Sequence, residues 1–300
     1  MLKQVTTIRN ILGECPVWSA NNSTLYWMDL IKPALHAWSA TTRAVRTWKM
    51  PEYLGGLALR RKGGLVMGLQ RGIVCFDPDT GKHEDLATFP QTTGRAIRFN
   101  DGKCDSRGRF FIGDMMDPSI AEDKEKASAE KQGAGSIYVL DPDLTLHTRE
   151  TGFTIPNGFA WNRDESILYL ADSHENAIYS YDYEPDSGLF SNPEVLASTK
   201  DEPGVPDGAC MDEQGRLWSA RNGGWCVVRH RHDGKVDNVI HLPVSHPTSM
   251  TFGGKNLETL FITTATQGLS EQALQRQPLA GTVLAVEAGV RGMPVHDFSG

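Results

Sequence analysis

The chain has 300 residues and a formal net charge of −7, so it is long enough to bury a sizeable core. This acidic balance argues against nucleic acid or an anionic membrane as the main partner. No stretch approaches the roughly 18 apolar residues that span a bilayer, and the N-terminus lacks an apolar signal region, so we expect a cytoplasmic protein. The five cysteines have no CxxC spacing, which predicts free thiols.

One pattern of polar and glycine residues leading into a short buried strand recurs six times along the chain. An apolar second strand follows each repeat at nearly the same distance, as in Leu25–Trp27 and Leu168–Leu170. A third strand and a turn rich in Pro, Gly and Asp follow in most units. The six repeats begin at Glu14, Gly55, Asn100, Asn157, Asp207 and Ser249.

Short strands in units of about 40 to 50 residues, almost without long amphipathic helices, are typical of a β-propeller. Six repeats therefore predict an all-β fold with six blades. No linker or shift in composition divides the chain, so we expect a single domain of residues 1–300. The segment Val5–Arg9 precedes the first repeat, and we expect it to pair with the last blade and close the ring.

One repeat is longer than the others because residues 115–132 intervene between its second and third strands. Part of this insert is charged and rich in Ala, Glu and Lys. It is either a solvated loop with one or two helical turns or a lid over the propeller mouth, since long inserts in compact domains are often functional.

Residues at the same phase of a propeller repeat lie at the same height around the central channel. The six repeat starts therefore predict one ring at the beginning of the innermost strands. This ring holds two carboxylates, Glu14 and Asp207, and two amides, Asn100 and Asn157, without Lys or Arg, which suits a hard divalent cation. The alternative is that these are ordinary turn residues, but their shared phase favours the cation.

Several motifs, in order across nearly the whole chain, resemble those of one known family. They are Gly13–Trp18, Arg98–Lys103, Pro156–Gly158, Pro206–Gly208, Phe252–Asn256 and Arg276–Pro278 with Ala280–Gly281. The family is that of senescence marker protein, gluconolactonase and luciferin-regenerating enzyme, which includes regucalcin.

The resemblance implies a six-bladed propeller with one divalent metal ion on its axis. By motif, Glu14, Asn157 and Asp207 match the family's three protein ligands to the metal. Arg98 and Asn100 match residues that contact the substrate. The ring by itself does not separate Asn100 from the ligands; only the family pattern does.

The reaction that the resemblance implies is hydrolysis of an aldonolactone such as gluconolactone to the free acid. The metal would polarise the carbonyl, and Asp207 would take a proton from the attacking water. The chain has no GxSxG elbow, which argues against a serine nucleophile. Family members also place an acidic residue after the Gly113–Met115 region, where Asp117 and Glu122 are the candidates here.

Two other functions remain open. One is a calcium-binding regulatory protein without physiological catalysis, and the other is a phosphotriesterase or aryl-esterase, which would need a more apolar pocket. Oxygen ligands permit calcium, magnesium, manganese, zinc or ferrous iron. The sugar is also open, sulfonated lactones included. We expect a monomer with a small-molecule substrate and no nucleic-acid or membrane partner.

Overall fold

The computed structural model describes residues 2–89 and 96–300. Met1 and residues 90–95, which the predicted domain of residues 1–300 includes, lie outside the described residues. The described residues form six antiparallel sheets of four strands each. No helix in this part of the chain is both long and apolar enough to cross a bilayer.

Each sheet is one blade, and the blades follow one another in chain order. From the innermost strand outward they comprise Gly13–Ser19, Thr24–Asp29, Ala34–Ser39 and Val45–Lys49 (β2–β5); Leu54–Leu59, Leu65–Leu69, Gly72–Asp77 and Lys82–Thr88 (β6–β9); Ile97–Cys104, Phe110–Met116, Gly135–Leu140 and Leu146–Phe153 (β10–β13); Pro156–Trp161, Ile167–Asp172, Ala177–Glu184 and Leu189–Ser198 (β14–β17); Val205–Met211, Leu217–Asn222, Cys226–His230 and Val236–His241 (β18–β21); and Pro247–Gly253, Thr259–Thr264, Leu284–Glu287 and Lys3–Gln4 (β22–β24 and β1). The predicted six-bladed β-propeller is confirmed.

Burial falls from the innermost to the outermost strand of each blade. In the first blade every residue of β2 is buried, whereas most of β5 is exposed. The innermost strands contact those of both neighbouring blades, and apolar side chains fill the space between blades. Trp18 of the first blade, for example, stacks on Phe261 of the sixth at a centroid distance of 5.5 Å.

The N-terminus closes the ring. Lys3 and Gln4 pair with Ala285 and Leu284, so β1 becomes the outermost strand of the sixth blade. The predicted closure is confirmed, but the strand begins earlier than the predicted segment Val5–Arg9. The hydroxyl of Thr6 accepts a hydrogen bond from the Ile8 N–H at 3.2 Å, a local turn that competes with strand pairing.

The insert forms two short helical turns on the third blade. A 3₁₀ turn spans Pro118–Ile120 and the helix α1 spans Lys124–Glu130. Each is capped by the carboxylate of the preceding residue, Asp117 or Asp123, which accepts a backbone N–H of the first turn. The second helix of the described residues, α2, spans Glu271–Arg276.

Candidate active site

A β-bulge lies at the ring position of every innermost strand. The pairing of β2 shifts between Glu14 and Val17, and that of β14 shifts between Asn157 and Ala160. Corresponding shifts occur in β6, β10, β18 and β22. A bulge adds a residue to one strand and changes the direction of the local side chains. The position that recurs in the six sequence repeats therefore corresponds to the same backbone irregularity in each blade.

Four of the six ring residues line one cavity of about 230 Å³. They are Glu14, Asn100, Asn157 and Asp207. The other residues that line the cavity are Leu12, Arg98, Met115, Asp117, Ile155, Ser173, Val205, Asn222 and Gln267. The ring position of the second blade is Gly55, where a Cβ atom would stand 2.3 Å from the carbonyl carbon of Phe99, so no side chain fits there.

The three predicted metal ligands share one local geometry. Glu14, Asn157 and Asp207 are 4%, 3% and 5% exposed. In each case a side-chain oxygen accepts the N–H of the following residue, and all three distances are 3.1 Å. The same bulge therefore presents an oxygen-bearing side chain to the cavity from three different blades.

The carboxylate of Asp207 accepts hydrogen bonds from two amide side chains. Its Oδ1 accepts a hydrogen bond from Nδ2 of Asn157 at 2.5 Å, and its Oδ2 accepts one from Nδ2 of Asn222 at 2.9 Å. Burial raises the pKa of Asp207 to about 7, although the bonds from Asn222 and Asn157 oppose this shift. Burial and the charge of Asp207 raise the pKa of Glu14 well above its usual value.

Arg98 and Asn100 form a hydrogen-bonded pair on β10. Nη1 of Arg98 donates to Oδ1 of Asn100 at 3.0 Å, and Nδ2 of Asn100 donates to the carbonyl oxygen of Pro156 at 3.1 Å. The amide oxygen of Asn100 is thus turned to Arg98, whereas the amide oxygen of Asn157 accepts the N–H of Gly158. The structure brings Asn100 into the same cavity as the predicted ligands but gives it different partners.

Of the two acidic candidates in the insert, only Asp117 reaches the cavity. Its Oδ2 accepts a hydrogen bond from Nε of Arg98 at 2.6 Å, and both side chains are buried. Burial works against ionisation of Asp117, but the Arg98 guanidinium and the hydrogen bonds from Ser119 together lower the pKa of this carboxyl. Glu122 is exposed and does not line the cavity.

Sequence reasoning missed three polar residues of the cavity, namely Gln267, Ser173 and Asn222. Ser173 accepts a hydrogen bond from Nδ2 of Asn157 at 3.3 Å and donates one to the carbonyl oxygen of Pro206 at 2.7 Å. Ser173 and Asn222 occupy equivalent positions in two blades. Ser173 directly follows Asp172, which pairs with Pro156, and Asn222 directly follows Arg221, which pairs with Pro206. Both prolines directly precede a ring residue. That shared phase was a usable signal.

The aspartates that recur at the ends of second strands are structural. Asp29 accepts backbone N–H groups from residues 11, 12, 31 and 32, and Asp172 accepts those of residues 154, 155 and 174. Asp114 accepts the N–H of Ser136 and the hydroxyl of Tyr138. These carboxylates therefore satisfy polar groups of neighbouring segments.

Within residues 2–89 and 96–300, no three His, Cys, Asp or Glu side chains form a metal-binding cluster. The predicted ligand set contains only two such residues, Glu14 and Asp207. It depends on the amide of Asn157 for its third protein oxygen. Asn and Gln carbonyl oxygens are ordinary ligands of hard cations, so the set remains chemically suitable.

Comparison with known proteins gives full-length relatives. A family model described as SMP-30/Gluconolactonase/LRE-like region matches residues 12–266. The chain is 33% identical over 299 residues to 6-deoxy-6-sulfogluconolactonase of Pseudomonas putida, covering 100% of this chain and 99% of that protein. It is also 33% identical over 290 residues to regucalcin of Oryctolagus cuniculus, covering 96% and 95%.

Two solved structures share the fold. A luciferin-regenerating enzyme matches with a TM-score of 0.87 at 25% identity, covering 99% of this chain and 98% of its own. Regucalcin of Agrobacterium tumefaciens, described as a calcium-binding protein, matches with a TM-score of 0.90 at 23% identity, covering 98% and 96%. The match to the family model and the identity to full-length relatives show that this protein belongs to the SMP-30/gluconolactonase/LRE-like family.

Proposed function

We propose that this protein hydrolyses a sugar-acid lactone, such as gluconolactone, to the free aldonic acid with the help of one divalent metal ion. The observation that carries the proposal is the convergence of Glu14, Asn157 and Asp207, three buried oxygen-bearing side chains, on the cavity that also holds Arg98. Relatives named as sugar lactonases over the full length support the reaction class.

The charges around the cavity favour a dication. In and directly behind it lie four carboxylates and two cations, namely Glu14, Asp101, Asp117, Asp207, Arg98 and Lys103. Their formal sum leaves an excess of two negative charges, which one divalent ion would balance. Without it, buried carboxylates repel one another, and the pKa values of Glu14 and Asp207 are raised by burial first and by this repulsion second.

Glu14, Asn157 and Asp207 would hold the ion. As placed, Oδ1 of Asn157 accepts from the Gly158 N–H and its Nδ2 faces Asp207. The two amide atoms are nearly equal in size and shape, so the same side chain can present its oxygen instead. When bound, a divalent cation supplies positive charge that polarises a lactone carbonyl and stabilises negative charge on its oxygen.

Asp207 is the base in this mechanism. Its carboxylate takes a proton from a water molecule as the water oxygen attacks the carbonyl carbon of the lactone. The bond between this carbon and the ring oxygen then breaks, and the ring oxygen takes the proton back from Asp207 and becomes a hydroxyl group of the aldonic acid.

Arg98 and Asn100 orient the sugar. Nε and Nη1 of Arg98 are held by Asp117, Asn100 and the carbonyl oxygen of Phe99. Within the described part of the chain, Nη2 of Arg98 has no hydrogen-bond partner and is available to a substrate hydroxyl or ester oxygen. A fixed donor lowers the entropy lost on reaching a reactive geometry. This polar wall favours a polyhydroxylated substrate over an aryl ester.

A panel assay tests the proposal. Acid release is measured from gluconolactone, galactonolactone, arabinolactone, xylonolactone and a sulfonated gluconolactone, using metal-stripped protein with and without added divalent ions. We expect metal-dependent turnover that Asp207→Asn abolishes. No turnover of any lactone with any ion would overturn the proposal. Cation binding without turnover would then favour a regulatory calcium-binding protein, and turnover of aryl esters alone would favour an aryl-esterase.

A further inference from the structure

Asp101 lies directly behind the proposed metal ligands. It follows Asn100 on β10, is 4% exposed, and does not line the substrate cavity. The residues at this phase in the other blades are uncharged, namely Cys15, Gly56, Gly158, Gly208 and Met250. A buried carboxylate at a single one of six equivalent positions needs a reason, because burial of a charge is costly unless it is compensated.

Its contacts reach the residues that directly follow two of the proposed ligands. Oδ2 of Asp101 accepts the N–H of Gly158 at 2.9 Å, and Gly158 directly follows Asn157. Oδ1 accepts the N–H of Gly102 at 2.8 Å and lies 3.8 Å from the thiol of Cys15, which directly follows Glu14. One carboxylate in the third blade therefore contacts the bulges of the first and fourth blades.

These bulges have little freedom of their own. Cys15 and Gly158 have positive φ values of 50° and 66°, a conformation that residues other than glycine rarely adopt. A Cβ atom on Gly158 would also stand 2.8 Å from the carbonyl oxygen of Asp207. Holding such a backbone requires surrounding contacts that over-determine it, and Asp101 supplies one to each bulge.

We propose that Asp101 is a positioning residue for the divalent cation, since its carboxylate holds the thiol of Cys15 behind Glu14 and the backbone N–H of Gly158 behind Asn157 and adds negative charge behind the cation. This inference rests on the metal ion of the proposed function. Groups that orient metal ligands without touching the metal commonly change its affinity by about 10- to 100-fold.

An electrostatic role and a purely structural role of Asp101 predict different effects of the neutral isostere Asn on the stability of the cation-free protein. The charge of Asp101 acts on both Glu14 and Asp207, and burial opposes its own ionisation, an effect that Lys103 partly offsets. The carboxylate therefore costs the cation-free protein stability and favours the cation-bound protein. A residue with a purely structural role would stabilise both forms alike.

The test compares Asp101→Asn with the wild type and with Asp114→Asn. Asp114 is a matched control, because it is a buried aspartate of the same blade that bonds to backbone and tyrosine hydroxyl. Metal-stripped proteins are titrated calorimetrically with Ca²⁺, Mn²⁺ and Zn²⁺, and their melting temperatures are measured without metal. We expect Asp101→Asn to weaken binding of the tightest ion by about 10- to 100-fold, with an equal or higher metal-free melting temperature.

Three results would overturn the inference. One is an affinity equal to that of the wild type. Another is the same loss in Asp114→Asn. A third is a metal-free melting temperature that falls together with the affinity. If Asp101→Asn does not fold, the variants Cys15→Ala and Cys15→Ser test the same contact. Cys15→Ala removes the thiol and should weaken cation binding about fivefold. Cys15→Ser keeps a hydrogen-bond donor and should bind the cation as the wild type does.

Wild-type protein that binds none of the three ions would overturn the metal assignment itself, and this inference with it. Wild-type protein that binds an ion as tightly as Asp101→Asn would overturn only the role of Asp101. The two failures are therefore distinguishable in one set of titrations.

Discussion

Nε of Arg98 donates a hydrogen bond to Oδ2 of Asp117 at 2.6 Å, inside the cavity wall. This ion pair joins the innermost strand of the third blade to the insert, because Asp117 also caps the 3₁₀ turn at Pro118–Ile120. Arg98, the proposed substrate-binding residue, and the insert, for which a solvated loop and a lid were both open, are thus one connected unit. We propose that the insert acts on the substrate cavity through this pair.

Removing the pair should damage both stability and substrate binding. Asp117→Ala leaves a buried guanidinium unpaired, which costs about 3 kcal/mol of unfolding free energy, and we expect KM for the lactone to rise more than kcat falls. Asp123 caps α1 in the same insert but is exposed, so Asp123→Ala should cost only about 1 kcal/mol. Urea unfolding and steady-state kinetics measure both effects. Equal losses in the two variants would contradict this account.

Cation affinity should rise with pH. The pKa of Asp207 is about 7 in the cation-free protein, and that of Glu14 is raised well above its usual value. Protons therefore compete with the cation below neutral pH, and binding releases them. Calorimetric titrations at pH 5.5, 6.5 and 7.5, each in two buffers with different ionisation enthalpies, should show tighter binding and fewer released protons as pH rises. An affinity independent of pH would contradict the assignment of these two ligands.

Asn222 should set the acid limb of activity. Its hydrogen bond to Oδ2 of Asp207 opposes the rise in the pKa of that carboxyl. In Asn222→Ala the pKa of Asp207 increases, so the acid limb of kcat/KM moves to higher pH and activity falls several-fold more at pH 6 than at pH 8. Gln267→Ala is the control, since Gln267 lines the same cavity without bonding to Asp207. A parallel loss at all pH values in Asn222→Ala would argue against this role.

His230 should make the fold sensitive to acid. Burial lowers its pKa to about 4 from 6.5, and its ring nitrogens face Arg221 and the carbonyl oxygen of Gly234. Between pH 6.5 and 4 the unfolded chain binds a proton that the folded protein does not, so stability falls as pH decreases. The loss should approach about 3 kcal/mol by pH 4, and denaturant unfolding of wild type and His230→Gln would reveal a flatter pH dependence in the variant.

The blades and the ring were predictable because both depend on local pattern. Strand alternation and turn chemistry repeat with each blade, and the bulge falls at one phase, so Glu14 and Asp207 could be placed on the same ring before any contact was known. Closure by the N-terminus followed from the need to cover open edges. The residues of the closing strand could not be predicted, because the turn made by Thr6 depends on a side-chain hydrogen bond.

The roles within the cavity were less predictable, because they depend on contacts between blades. Asn100 and Asn157 have the same residue type and the same place in the repeat, so the ring by itself did not separate them, whereas the hydrogen-bond partners of their amides do. Asp117 could not be preferred to Glu122 until the insert was placed against Arg98. Asp101 carried a sequence signal, the single charge at its phase, but its contacts to two other blades appear only in the fold.

The most direct test of the account is a titration of activity with metal. Metal-stripped wild-type protein is supplied with increasing equivalents of the ion that binds tightest, and the rate of acid release from its best lactone is measured at each step. We predict that the rate rises linearly and reaches a plateau at one equivalent, while Glu14→Gln needs a large excess of the ion. Full activity in the metal-stripped protein would contradict a metal-dependent lactonase.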